Sequence, residues 1–155
     1  MITYDSFEKL LVNNIKEISI ANGYSNDICI LEGWIRHYQE KLEKQEDGYF
    51  FPAVAMRPVD EVCNWLYNDV GGENCVNNKA TRKYLITGAV SVIDNKENYL
   101  YHMESLLLDV KRSLSDTRHV NLVKVEFDTP DANVGYAAFQ ITVALKPITE
   151  KIEKP

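Results

Sequence analysis

The stretch ENYLYHMESLLLDVKRSL, residues 97–114, decides how the rest of the chain is interpreted. Its apolar residues recur at three- and four-residue steps, which is the period of one face of an α-helix. A helix with such a stripe has to bury it against another element, and strands predicted on both sides of this one are the natural partners. The stripe consists of Tyr99, Met103, Leu106, Val110 and Leu114, and Leu107 widens it.

The ends and sides of this helix carry further signals. Asp94 stands at the position of an N-cap, with a glutamate three residues later as in a capping box. Leu107 and Val110 are predicted to be nearly inaccessible, because they lie on the sheet-facing side. Leu100 and Leu108 fall off the stripe, so we expect them to contact another part of the domain or another subunit.

Upstream of this helix the pattern predicts one helix and several strands. A helix is predicted over residues 5–21, with Gly23 free to take the left-handed conformation that ends it. Strands are predicted over residues 27–34, 49–58 and 80–94, a polar loop or short helix over 36–47, one or two helical turns over 60–67, and a flexible loop or hairpin tip over 68–79.

Downstream, residues 120–127 and 134–145 alternate between apolar and polar side chains, and a short link rich in turn residues joins them. This is typical of an antiparallel hairpin. The charged segment 148–155 is predicted to be a flexible C-terminal tail, which leaves residues 1–147 as a single domain. The predicted fold class is α+β, an antiparallel or mixed β-sheet with the two main helices packed on one face.

Composition narrows the function classes. The net charge of −6 argues against a general nucleic-acid binder, which usually shows a basic face. No apolar run has the length that a bilayer needs, and the N-terminus lacks a signal-peptide pattern, so no membrane partner is expected. Cys29, Cys63 and Cys75 are widely spaced, which predicts reduced thiols in a cytoplasm, two of them in or near the core.

Catalytic and metal-binding motifs are missing from the sequence. There is no glycine-rich phosphate loop, so no nucleotide cofactor is predicted. His37, His102 and His119 form no close pairs with cysteines, so no metal is predicted either. A Cys–His nucleophile pair stays open, because such partners meet in space rather than in sequence. The prediction is a protein that is not an enzyme.

Three segments in a particular order carry a family resemblance. They are IANGYSNDICILEGW at 20–34, FFPAVAMRP at 50–58, and the run from YLITGAVSVID at 84–94 through LLLDVKRSL at 106–114 to YAAFQITVAL at 136–145. Together they resemble the tail terminator proteins of long-tailed bacteriophages, also called tail completion or minor tail proteins. The places that match are Gly23–Tyr24, Pro52–Ala53 and Leu108–Asp109–Val110–Lys111.

The resemblance implies a structural virion protein, made in the host cytoplasm and incorporated into the tail or neck. Terminators assemble as hexameric rings, so the implied partners are further copies of this chain, the tail tube protein and a head–tail connector or neck protein. DNA would pass through the ring without specific binding, which suits a negative charge. The alternatives are another neck or head–tail joining protein, an unrelated small α+β enzyme or binding domain, and a regulatory interaction protein.

If the protein caps a tube, its contacts are expected in loops that a minimal fold does not need. Two stretches qualify, residues 68–79 and 128–133, although both could equally be ordinary solvated loops. The predicted interface residues are Asn68, Asp69, Glu73, Asn74, Asn77, Asn78, Asp128, Asp131 and Asn133.

Overall fold

The computed structural model describes residues 4–66, 75–94, 97–115, 117, 120–128 and 135–153. The helices are α1 (Tyr4–Lys16), α2 (Gln39–Glu43) and α3 (Tyr99–Ser115), with 3-10 turns at Ile20–Asn22 and Ile35–Tyr38. The strands are β1 (Cys29–Glu32), β2 (Ala53–Leu66), β3 (Cys75–Ser91), β4 (Val120–Asp128), β5 (Tyr136–Leu145) and β6 (Ile148–Glu153). The predicted α+β fold class is confirmed.

The strands form one mixed sheet in the order β1-β2-β3-β5-β4. β1 runs parallel to β2, and the other pairs are antiparallel, including the predicted hairpin of β4 and β5. β3 is the longest strand, and two later strands share one of its sides. β5 pairs with residues 83–91 of β3, and β6 continues along residues 75–80.

The main core lies between one face of the sheet and the two long helices. Leu107 is 4% exposed and Val110 is fully buried, as the helical stripe predicts. Helix α1 contributes its own apolar stripe to the same cluster, so the prediction that both helices pack on one face is confirmed. The sheet side of this core is formed by Val54, Met56, Tyr84, Ile86, Val90, Ala137, Phe139, Ile141 and Val143.

A smaller core lies on the opposite face, near β1. The segment between β1 and β2 folds back over the sheet and buries Ile35 and Leu42 against it. The sheet residues beneath are the alanines Ala53, Ala55, Ala89 and Ala138, whose small side chains allow this close approach. This segment covers only part of the second face, and a groove lies beside it.

One glycine is required by the packing of the central strands. Gly88 on β3 is the direct partner of Phe139 on β5. A Cβ atom at Gly88 would lie 2.2 Å from Cζ of the Phe139 ring. The ring therefore lies across the backbone of β3, and only a residue without a side chain leaves room for it.

Three predicted elements are wrong, each because strand pairing overrides a local pattern. The helical turns predicted over 60–67 are strand β2 as far as Leu66, paired with β3 along its length. Residues 75–79, predicted as part of a loop, are the start of β3, while 67–74 lie outside the described residues. The tail predicted to be flexible forms β6 over residues 148–153, with β3 as its partner.

The ends of the two long helices also differ from the predictions. α1 ends at Lys16, and Gly23, at φ +90°, caps the separate 3-10 turn that follows. α3 begins at Tyr99, so Asp94 is too far upstream to cap it. Asp94 instead closes the turn after β3, where its backbone N–H donates to the Ser91 hydroxyl at 3.2 Å.

Candidate functional site

Most of the predicted interface residues lie outside the described part of the chain. These are Asn68, Asp69, Glu73, Asn74, Asp131 and Asn133. Asn77 and Asn78 belong to β3, so the prediction that they lie in a loop is wrong. Asp128 is the last residue of β4, is exposed, and accepts a hydrogen bond from the Gln140 side chain at 3.2 Å.

Asn78 holds the sheet together rather than presenting itself to a partner. Its side chain is 2% exposed, and its Nδ2 donates to a carboxylate oxygen of Glu150 at 3.1 Å. These two residues are direct partners in the pairing of β3 with β6. Its Oδ1 has no hydrogen-bond partner among the described residues. The interface prediction therefore does not suit Asn78, because a buried side chain offers no surface.

One end of the sheet is formed by β2, β3 and β6, and β2 is uncovered there, although Ala80 and Ile148 at the same end are buried in the main core. We call it the strand arm: residues 58–66 of β2, 75–82 of β3, and β6. Residues 58–65 are all exposed, including the large side chains of Val59, Val62 and Trp65. Val62 is 65% exposed. Val62 and Trp65 are three residues apart on the strand, so apolar side chains are exposed on both faces of the arm. Exposed large apolar side chains are typical of a surface that meets another protein.

The opposite border of the sheet, β4, is also apolar and uncovered. β4 pairs only with β5 within the described residues, so its outer backbone groups face away from the sheet. A register shift between Leu122 and Lys124 interrupts the alternation, and Leu122, Val123 and Phe127 are each about half exposed. The alternating pattern predicts a buried face here, but only Val120 and Val125 are partly buried. Apolar edge strands of this kind readily pair with another chain.

Two of the motifs that carry the resemblance, Gly23–Tyr24 and Leu108–Lys111, are joined through a buried aspartate. Asp109 on α3 is fully buried. Its carboxylate accepts from the backbone N–H of Ser25 at 3.1 Å and from that of Asn26 at 3.0 Å. The Asn26 side chain adds a third donor, at 2.8 Å. Asp109 thus fixes the loop after Gly23–Tyr24 to the middle of α3, and the charge is met entirely by hydrogen bonds.

An arginine ties α1 to the strand arm. Arg82 on β3 contacts Glu8 at 2.6 Å through Nη1 and Glu61 at 2.9 Å through Nε. Burial by itself lowers the pKa of Arg82, but the hydrogen bonds to Glu61 and Glu8 outweigh it, so the pKa is raised. The same guanidinium donates to the hydroxyl of Tyr84 at 3.3 Å. The base of the arm is therefore braced against the helix layer.

A groove of about 330 Å³ lies on the second face of the sheet, beside the segment that folds back over it. We call it the arginine groove. The Arg57 guanidinium lies 3.5 Å from the centre of the Trp34 ring, a cation–π contact. The groove is lined by Trp34, Ile35, Arg36, His37, Arg57, Leu85, Thr87, Asp128, Tyr136, Ala138 and Gln140.

The described residues hold no group of three or more histidine, cysteine or acidic side chains placed to bind a metal ion. Cys29 is a buried free thiol and Cys63 an exposed one, while the side chain of Cys75 lies outside the described part. The prediction that two of the three thiols lie in or near the core is confirmed for Cys29 and stays a prediction for a second one, since Cys63 is exposed. Within the described ranges, no helix has both the length and the apolar character to cross a bilayer.

No protein-family model matches the chain, and no curated protein matches it either. Support for a function therefore comes from the sequence motifs and from the exposed surfaces of the described residues.

Proposed function

We propose that the protein is a ring-forming tail terminator of a long-tailed bacteriophage. In this role it caps the tail tube, stops its polymerisation and offers a surface to a head–tail connector. The order of the sequence motifs is the first support for this proposal. The absence of phosphate-loop and zinc-spacing motifs from the sequence is compatible with a structural role.

The contacts between the motifs are a second support. Gly23–Tyr24 and Leu108–Lys111 are far apart in sequence, yet Asp109 binds the backbone directly after the first of them. The Pro52 carbonyl accepts a hydrogen bond from the Cys29 N–H at 3.0 Å, which joins the Pro52–Ala53 motif to β1. These contacts give a structural reason why such residues would occur together in one family, and so they favour the resemblance over a chance match.

The observation that carries the proposal is the pair of uncovered apolar borders. Phe127 and Val123 on β4, and Val62 and Trp65 on the strand arm, leave apolar surface exposed at opposite borders of one sheet. A contact between two different surfaces of neighbouring copies is heterologous, and it generates a ring when the rotation closes. We propose that the arm of one subunit meets the β4 border of the next.

The decisive experiment is electron microscopy of tails assembled with and without the protein. Without it, we expect tubes of uncontrolled length. Loss of a different neck component would leave tube length normal, so tube length separates the terminator from that alternative. If tails reach normal length and join heads without this protein, the terminator proposal is wrong.

A variant set connects this assay to the surfaces. Val123→Lys places a charge on the exposed β4 border, so we expect it to fold normally but fail to form rings on tubes. Asn13→Lys adds the same charge at an exposed position of α1 and serves as the control. Deletion within residues 68–74 tests the predicted interface loop, which stays a prediction. Capping that survives Val123→Lys would place the subunit contact elsewhere.

A further inference from the structure

The arginine groove has a feature that the terminator proposal does not use. It lies on the face of the sheet opposite α1 and α3, and it runs from Arg57 on β2 across β3 and β5 to Asp128 at the end of β4. Neighbouring strands lie about 4.8 Å apart, so the three steps from β2 to β4 span about 14 Å measured straight across the strands. That length holds about four residues of extended polypeptide.

Two guanidinium groups in the groove lack an acidic partner. Neither Arg57 nor Arg36 forms an ion pair with a carboxylate among the described residues. Arg57 lies against the face of Trp34, a position that leaves the N–H groups at its edge free to donate. Arg36 and Tyr136 line the same groove. The Trp34 ring thus positions the Arg57 donors, and neither guanidinium has an ion-pair partner among the described residues.

The charges around the groove fit a single negative group. Among the residues that line the groove, Arg36 and Arg57 contribute two positive charges, and Asp128 removes one while its Oδ2 accepts from the Gln140 side chain. His37 also lines the groove. The floor is neutral and consists largely of Leu85, Thr87 and Ala138. A local excess of about one positive charge in a chain of net charge −6 matches one carboxylate better than a chain of phosphates.

We propose that the arginine groove binds a carboxylate side chain presented by an extended segment of a partner protein. The carboxylate would accept from the in-plane donors of Arg57 and Arg36, in the fork geometry that arginine favours with carboxylates. The flanking residues of the segment would lie across β3 and β5. The proposal concerns the groove alone and does not depend on the terminator function.

The two tryptophans of the chain make this testable. Trp65 lies on the strand arm, so Trp65→Phe leaves Trp34 as the only tryptophan, a fluorescent reporter at the groove. The probes are an acetylated and amidated tetrapeptide with one central glutamate and its glutamine analogue. We expect the Trp34 fluorescence to change in a saturable way as the glutamate peptide is added. The glutamine peptide should bind about tenfold more weakly, and added salt should weaken the binding of the glutamate peptide.

Variants assign the binding to the groove. In the Trp65→Phe background, Arg57→Gln and Arg36→Gln should each weaken binding of the glutamate peptide about tenfold. Arg112→Gln, at an exposed position of α3, is the matched control and should bind as the parent does. Isothermal titration calorimetry of the same variants measures binding without fluorescence. A direct effect of the Arg57 substitution on Trp34 emission is then not mistaken for weaker binding.

Three outcomes overturn the proposal. One is absence of saturation with the glutamate peptide up to about 10 mM. Another is undiminished binding by both arginine variants. The third is tighter binding of inorganic phosphate or of a short oligothymidine than of the glutamate peptide, which would assign the groove to phosphate groups instead.

Discussion

Replacing Asp109 tests whether the contact between α3 and the loop after Gly23–Tyr24 stabilises the fold. The carboxylate is fully buried and receives three donor groups, the amides of Ser25 and Asn26 and the side chain of Asn26. Asp109→Ala removes the acceptor and leaves these donors in place. A buried donor that loses its partner costs about 1–3 kcal/mol.

The exposure of the donors sets the size of the effect. Ser25 is exposed, so its amide can bind water after the substitution, whereas Asn26 is only partly accessible. The two donors of Asn26 therefore dominate, and we expect Asp109→Ala to lower the free energy of unfolding by about 2–6 kcal/mol. A loss of about 4 kcal/mol corresponds to a decrease in Tm of about 8–16 °C for a chain of this length.

Urea unfolding followed by far-UV circular dichroism measures this free energy, and hydrogen exchange of the Ser25 and Asn26 amides localises the effect. Asp109→Asn keeps the side-chain volume but points an NH₂ group at the N–H donors. It should therefore lower the free energy of unfolding by more than half as much as Asp109→Ala does. Leu108→Ala, at the exposed neighbouring position, is the control and should change stability by less than about 0.5 kcal/mol. An Asp109→Ala variant as stable as Leu108→Ala would refute this account.

Three further substitutions test the core and the groove. Leu107→Ala should cost about 2–5 kcal/mol in urea unfolding, whereas Leu100→Ala at an exposed position should cost less than about 0.5 kcal/mol. Gly88→Ala should cost about 1–3 kcal/mol, and combining it with Phe139→Leu should recover part of that loss, because the clash is with the Phe139 ring. Burial raises the pKa of Tyr136, so the folded protein holds this proton more tightly than the unfolded chain, and stability should decrease as the pH rises above about 10. Tyr136→Phe should remove that part of the decrease, as measured by urea unfolding at pH values on both sides of the transition.

The candidate surfaces were less predictable from sequence than the core. Loop composition predicts an interface at residues 68–79 and 128–133, and most of these lie outside the described residues. The exposed apolar borders were missed because Val123 and Phe127 alternate with charged residues as core strands do. Alternation indicates which residues share a face, but it does not show whether anything covers that face. The signal for an uncovered β4 border is weak: the apolar–polar alternation of this strand is interrupted near Leu122.

Spacing along the chain is enough to predict the elements whose partners are local or whose period is long. The stripe of α3, the two buried positions Leu107 and Val110, and the β4–β5 hairpin follow from spacing alone. Residues 60–66 and 148–153 are strands because both gain their hydrogen bonds from β3, a partner that their own residues do not identify. The same reason applies to Asp109, a charged residue in a helix whose burial depends on backbone donors more than 80 residues away.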